Sequence, residues 1–222
     1  MAFNRPDPAE SPLRTTRTEL KRKRERGSHD RSVVEEILDE GLVAHVGVVA
    51  DGGPIVTPMA YARIDGDLFL HGAAGNRTLR ALAEDSALCL TVTLLDGLVL
   101  ARSAIHHSMN YRCVVLYGRG HRVEDEAEKR RALAAVVDHV VPGRSAVARP
   151  PTSLELRATL VVRVPIVEAS AKVRGGGPVD DDADLELPVW AGVIPVEVIA
   201  DAPVGDSALK AETTAPVSRL RG

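Results

Sequence analysis

Residues 42–72 read LVAHVGVVADGGPIVTPMAYARIDGDLFLHG, three runs of β-favouring residues separated by Asp-Gly turn signals. Short runs rich in Val, Ile, Leu, Thr and aromatic residues, divided by such turns, are typical of an antiparallel meander. Asp65-Gly66 is the stronger hairpin signal of the two separators. The sequence therefore predicts a sheet as the centre of the fold.

On the amino-terminal side of this meander, an amphipathic helix is predicted. Asp30 or Ser32 can cap its start, and its apolar stripe contains Val33, Val34, Ile37 and Leu38. Gly41 is expected in the left-handed conformation that ends many helices. The helix is short, so we expect it to cover an edge of the sheet.

On the carboxyl-terminal side, a helix with an Asn cap is predicted at 76–85, followed by a strand at 87–95 and a loop at Asp96-Gly97. The next strand begins within HHSMNYRCVVLYG at 106–118. The longest helix is predicted at 125–143, where Asp125 is a cap and apolar residues recur with helical spacing.

The order of these elements lacks the alternation of strand and helix that marks a parallel sheet. The predicted fold class is therefore mainly β with added α-helices, in an antiparallel barrel or sandwich of six to eight strands. We expect a basic N-terminal arm at 1–27, one domain at 28–200 and a flexible C-terminal tail at 201–222.

Composition narrows the class of protein. The chain has 222 residues, 45% of them hydrophobic, a net charge of −3 and two cysteines, Cys89 and Cys113, without metal-site or disulfide spacing. Neither a signal peptide nor a membrane-spanning run is present, which predicts a cytoplasmic protein without a membrane partner. The basic arm lacks interleaved aromatic residues, so no nucleic-acid partner is expected.

Common catalytic motifs are missing, among them the Walker A loop, the nucleophile elbow and the HExxH zinc motif. His106 and His107 would point to opposite faces of a strand, which disfavours a shared metal ion. The acidic residues at 180–184 lack EF-hand spacing and are interpreted as a solvated loop. The sequence thus predicts no metal site.

Three polar segments do recur at predicted strand ends, at 57–61, 71–77 and 107–112. The second has small residues followed by a helix start and Arg77, which together favour a phosphate group. The other two add apolar, aromatic, hydroxyl and amide groups. Together they suit a flat, phosphorylated ligand.

Six segments in this order resemble the pyridoxamine 5′-phosphate oxidase-like flavin-binding split-barrel family, most closely its nitroimidazole-resistance (Nim-type) branch: ERGSHD, LVAHVGVV, LFLHGAAGNR, LTVTLLDGLVLARSAIHHSMNYRCVVLYG, EASAKVR and LPVWAGVIP. The resemblance covers roughly residues 16 to 200. It implies a six-stranded antiparallel split β-barrel with peripheral helices, and a homodimer with FMN at the subunit interface.

The resemblance also implies which residues bind FMN. Arg77 and Asn76 would hold the phosphate, the segment from Pro58 to Tyr61 would line the isoalloxazine, and Trp190 would pack over the site. The full set implied is Pro58, Met59, Ala60, Tyr61, His71, Asn76, Arg77, Ser108, Asn110, Tyr111, Arg112, Lys172 and Trp190.

The function expected from this resemblance is an FMN-dependent oxidoreductase that reduces a small organic acceptor such as a nitro compound or quinone. His71 and His107 are the expected proton or hydrogen-bond donors, because imidazole titrates near neutral pH. The alternatives are an FMN carrier or sensor without turnover, and a split barrel that uses F420 or haem.

The chain departs from the family pattern in two places, and these departures limit which properties of the family can be expected of it. The chain lacks the C-terminal motif with which true pyridoxamine phosphate oxidases grip the substrate phosphate, so that activity is not expected. Cys113 stands where relatives are expected to place serine, and one hydroxyl contact would then be lost.

Overall fold

The computed structural model describes residues 13–210 and 213–220. Residues 1–12 of the expected arm, and 211–212 and 221–222 of the expected tail, lie outside the described residues. Two compact units are formed: unit 1 contains 13–45, 89–118 and 166–197, and unit 2 contains 46–88, 119–165, 198–210 and 213–220. The domain boundaries expected after residues 27 and 200 stay a prediction.

The described residues form ten strands and five α-helices. The strands are β1 (Gly27–Ser28), β2 (Val43–Ala50), β3 (Gly53–Ile64), β4 (Asp67–Ala73), β5 (Ala87–Leu100), β6 (Ser108–Arg119), β7 (His121–Arg122), β8 (Thr159–Pro165), β9 (Ala169–Arg174) and β10 (Gly192–Pro195). The helices are α1 (Arg31–Glu40), α2 (Arg77–Ala83), α3 (Glu126–Val140), α4 (Arg144–Val147) and α5 (Ser153–Ala158).

This architecture confirms the predicted class, mainly β with added helices. The ten strands exceed the six that the family resemblance implies. Three of the ten are short, the two-residue β1 and β7 and the four-residue β10, and the other seven are longer. Among these residues, no helix combines the length and the apolar character that crossing a bilayer requires.

In unit 1 the strands follow the order β1, β9, β6, β5, and β10 pairs with β5. Helix α1 lies against β9 and buries Val34, Ile37 and Leu38. The Asp30 carboxylate accepts a hydrogen bond from the Ser32 backbone N–H at 3.0 Å, which confirms the predicted cap. Gly41 was expected to be left-handed, and this was wrong: its φ of −67° is extended, and the chain passes almost directly into β2.

The loop predicted at Asp96-Gly97 is also wrong, since both residues lie inside the uninterrupted strand β5. Residues Gly97 to Leu100 pair with β10, which comes much later in the chain. A Cβ at Gly97 would lie 3.0 Å from Val193 Cγ1 and 3.2 Å from the Ile194 carbonyl oxygen. The glycine therefore permits close strand pairing here.

In unit 2, β4 lies between β3 and β8, and β7 pairs with the far side of β8. Ile64 of β3 faces Asp67 of β4, so Asp65-Gly66 forms the predicted two-residue hairpin. Helix α3 begins at the predicted cap, where the Asp125 carboxylate accepts from the Glu128 N–H at 2.7 Å. One core cluster joins helix and sheet, through Phe69, Val123, Ala132 and Val161.

Candidate functional site

The site residues expected from the sequence divide equally between the two units. Unit 2 contains Pro58, Met59, Ala60, Tyr61, His71, Asn76 and Arg77. Unit 1 contains His107, Ser108, Asn110, Tyr111, Arg112, Lys172 and Trp190.

Arg77 borders a polar cavity of about 390 Å³ in unit 2. The cavity is also lined by Arg80 and Gly75, and by the acidic residues Asp51 and Glu84. The Arg77 guanidinium lies 3.3 Å from the Asp51 carboxylate, and both side chains are about two-thirds exposed. Exposed ion pairs of this kind contribute little stability, so a phosphate dianion can compete for the guanidinium.

Asn76 has the capping role that the sequence predicted. Its side-chain oxygen accepts a hydrogen bond from the Leu79 N–H at 3.0 Å and so caps α2. The cap fixes the start of the helix that carries Arg77 and Arg80. Asn76 therefore positions the arginines of this cavity, whether or not its amide also contacts a ligand.

The segment from Pro58 to Tyr61 alternates along β3. Met59 and Tyr61 are buried, whereas Pro58 is exposed and Ala60 half-buried. The Tyr61 ring packs on the His139 ring, with centroids 5.0 Å apart. Pro58 and Ala60 consequently present the accessible face of this segment.

His71 stands on β4 beside a second cavity of unit 2, with a volume of about 440 Å³. Its Nδ1 atom is buried and has no hydrogen-bond partner within 13–210 and 213–220. Burial lowers the pKa of the imidazole below its ordinary value, because the charged form is poorly solvated there. Burial therefore favours the neutral form of the ring.

Residues of α3 and of the segment before α5 also line this second cavity. The lining is largely apolar because it includes Leu133, Val136 and Val137. It also contains two arginines, Arg130 and Arg149. The Arg149 guanidinium and the Thr152 backbone N–H lower the pKa of Glu155 to about 2. Sequence reasoning singled out His71 but missed this cavity, because no local pattern links α3 to β4.

Arg112 in unit 1 is held by two carboxylates. Its guanidinium donates to both Glu40 carboxylate oxygens and, at 2.8 Å, to Asp96. These hydrogen bonds raise its pKa above the ordinary value. The network joins the end of α1 to β5 and β6, and the role expected for Arg112 in FMN binding stays a prediction.

Asn110 is buried and pairs with a buried arginine. The Arg174 guanidinium donates to the Asn110 side-chain oxygen, and the Asn110 amide donates to the Gly176 carbonyl at 3.1 Å. Arg174 also donates to the Gly177 carbonyl at 3.2 Å. The pair anchors the glycine-rich segment that follows β9.

The other candidates in unit 1 are more accessible. Ser108, Tyr111 and Lys172 are half-buried, and Trp190 is 63% exposed. Lys172 lies opposite Cys113 in the pairing of β6 with β9. His107 is exposed, and its Nδ1 donates to the Ser103 carbonyl at 3.0 Å.

His106 lies close to the acidic loop, a proximity that the sequence analysis did not anticipate. One ligand atom each from His106, Asp181 and Asp184 lies within 4.8 Å of the others. Exposed acidic groups often gather in this way without an ion. The expectation that the chain has no metal site stays a prediction.

A model of the family described as pyridoxamine 5′-phosphate oxidase matches residues 30–173. The chain belongs to this family. The match confirms the resemblance that the sequence motifs indicated. No curated protein matches the chain.

Two solved structures resemble nearly the whole chain. The flavocytochrome Anf3 from Azotobacter vinelandii is 40% identical, with a TM-score of 0.86, over 93% of this chain and 95% of that one. The FAD and haem binding protein from Mycobacterium smegmatis is 36% identical, with a TM-score of 0.83, over 89% of this chain and 100% of that one.

A candidate 5-nitroimidazole antibiotic resistance protein from Bacteroides thetaiotaomicron is more distant. It is 24% identical, with a TM-score of 0.56, over 66% of this chain and 86% of that one. This similarity shows the fold alone. The sequence motifs favoured the nitroimidazole-resistance branch, but the nitroimidazole-resistance protein is the least similar of these three structures.

Proposed function

We propose that this protein binds a flavin and acts as a redox protein. The observation that carries the proposal is the near-full-length similarity to a flavocytochrome and to an FAD and haem binding protein. The polar cavity of unit 2 supports it, because Arg77 and Arg80 are suited to the phosphate of a flavin nucleotide.

The flavin is FMN or FAD, and both carry a phosphate that these arginines can bind. The family motifs favour FMN, whereas one relative is named for FAD. Chromatography of the flavin released from purified protein decides between them. Release of neither flavin, from protein that also fails to take up added FMN or FAD, would contradict the proposal.

The phosphate site is tested by Arg77→Gln. Loss of a hydrogen bond to a charged group costs about 1.5 kcal/mol, so we expect roughly tenfold weaker binding of FMN. Riboflavin, which lacks the phosphate, should bind equally to the variant and the wild type. Both affinities are measured by fluorescence quenching.

Arg119→Gln is the matched control, because Arg119 is also exposed and paired with an aspartate in unit 2, Asp85. It should leave the affinity for FMN unchanged. Equal losses in the two variants, or an equal loss for riboflavin, would show that Arg77 does not bind the phosphate.

The bound flavin would supply the redox chemistry, and the residues of the chain would bind and orient it. We propose reduction of a small organic acceptor of the nitro or quinone type. His107 donates from Nδ1 to the Ser103 carbonyl, so its neutral ring can accept a proton at Nε2 and its imidazolium form can donate one from that atom. Acceptors should reoxidise the reduced protein faster than reduced free flavin; equal rates would instead favour a carrier or sensor.

We also propose a homodimer with the flavin at the interface. Large apolar side chains are exposed in unit 1, among them Ile105 at 86%, Met109 at 54% and Trp190 at 63%. Exposed apolar groups of this size often mark interaction surfaces. Light scattering should give the mass of a dimer, and a monomer that retains flavin would contradict this.

Haem binding is a second candidate function, alongside the flavin. It is favoured by the relative named for FAD and haem and by the unpartnered nitrogen of His71 beside an apolar cavity. A bound haem would supply a one-electron redox centre. Haem content per chain, measured as the pyridine haemochrome, tests this directly, and F420 would be recognised by its own absorbance spectrum.

A further inference from the structure

The cavity beside His71 has the chemistry of a site for a flat, apolar ligand. Its volume of about 440 Å³ lies in the range of small-molecule and cofactor pockets. Leu133, Ala134, Val136 and Val137 supply one apolar wall from α3. His71 of β4 also lines the cavity, and its imidazole is a side chain of the kind that binds metal ions.

Among the residues that the structure describes, Nδ1 of the His71 imidazole lacks the partner that a buried polar atom normally has. Most buried nitrogen and oxygen atoms in folded proteins are hydrogen-bonded, because an unmet donor or acceptor costs free energy. Nδ1 of His71 is an exception. The neutral ring, favoured by burial, is the form that binds a metal ion.

The surroundings of His71 hold the strand firmly in place. His71 faces Val161 across the β4–β8 pairing. Its neighbour two residues earlier, Phe69, is in the core cluster with Ala132 of α3. The imidazole therefore projects from a packed strand and not from a mobile loop, as a ligand to a cofactor requires.

The cavity also offers cations to a ligand that carries carboxylates. Arg130 contacts Glu126 at 2.7 Å and Arg149 contacts Glu155 at 2.7 Å. Both ion pairs are partly exposed, so the arginines can exchange these partners for other carboxylates. A haem combines a flat apolar ring, two propionate carboxylates and an iron that binds imidazole.

We propose that His71 is an axial ligand of a haem iron, that the haem ring lies in this cavity against α3, and that Arg130 and Arg149 bind the propionates. This inference rests on the proposed haem function and deepens it. It assigns His71 to the haem, whereas the family resemblance implied that His71 contacts the flavin.

The test compares haem uptake and spectra of full-length wild type, His71→Ala, Ala134→Trp and His121→Ala after titration with haemin. His121 is the control, because it is an exposed histidine on β7 of the same unit. Wild type and His121→Ala should bind haem with a histidine-ligated spectrum by absorbance and electron paramagnetic resonance.

The two site variants should differ in an informative way. His71→Ala should lose the histidine-ligated spectrum, and added imidazole should restore it. Ala134→Trp fills the cavity and should lower haem uptake while it leaves the flavin content unchanged. If His71→Ala does not fold, His71→Met provides the same test, because a thioether ligand changes the spectrum.

The outcomes separate this inference from the function on which it rests. Absence of haem from the wild type after titration would contradict the haem function itself. Haem binding by His71→Ala with an unchanged spectrum would contradict only the ligand assignment. Loss of flavin but not of haem in that variant would return His71 to the flavin site.

Discussion

Gly120, between β6 and β7, is predicted to be essential for the packing of α2 in unit 2. A Cβ added there would lie 2.6 Å from Val162 Cγ1, 2.9 Å from Leu82 Cβ and 2.9 Å from the Leu82 carbonyl oxygen. The last of these atoms is backbone of α2, the helix that carries Arg77, and it cannot move without a shift of the helix. Overpacking of this kind costs about 1 to 3 kcal/mol.

Gly120→Ala should therefore lower the thermal unfolding midpoint. For a chain of this size each kcal/mol corresponds to about 2 to 4 °C, so the expected decrease is roughly 2 to 12 °C. Differential scanning calorimetry measures it. Because the clash displaces α2, the affinity for FMN should also fall.

Gly53→Ala is the matched control, since a Cβ at this strand glycine would have no neighbour within 4 Å in the part of the chain that the structure describes. It should leave the midpoint unchanged or raise it slightly, because alanine reduces the freedom of the unfolded chain. If Gly120→Ala and Gly53→Ala have the same stability, the close contact between Gly120 and α2 is refuted.

Further predictions concern the ends of helices and an exposed carboxylate. Asp30→Ala should lower the free energy of unfolding by about 1 kcal/mol through loss of the α1 cap. The control, Glu36→Ala on the exposed face of the same helix, should leave the free energy of unfolding unchanged. Equal chemical-denaturation curves for the two variants would disprove the capping role of Asp30. NMR titration should place the pKa of Glu155 near 2, and Arg149→Gln should move it toward 4.5. Since the folded-state pKa of Glu155 is depressed, the stabilisation by this carboxylate should be present above pH 4.5 and lost as the pH falls toward 2. A Glu155 titration that Arg149→Gln leaves unchanged would contradict the pairing of Arg149 with Glu155.

Local patterns predicted the elements whose causes are local. The caps at Asp30, Asn76 and Asp125 and the hairpin at Asp65-Gly66 depend on residues a few positions apart, and all four are confirmed. The incorrect prediction of a loop within β5 has a non-local cause. Asp96-Gly97 has the composition of a turn, but pairing with β10 makes it strand.

In the candidate site, too, the features with local causes were predicted and those that depend on distant residues were not. The cavity at Arg77 lies next to the helix start that identified it in the sequence. The cavity at His71 depends on α3, and the partners of Arg112 and Asn110 are distant carboxylates and carbonyls. A side chain's type suggests which ligands it can bind, but tertiary contacts determine whether it is already engaged.

The absorbance spectrum of the purified full-length protein, together with chromatography of the released cofactor, tests the central claim most directly. We predict bound FMN or FAD, or its uptake when the flavin is added to the protein. A colourless protein that takes up neither flavin would contradict the proposed function.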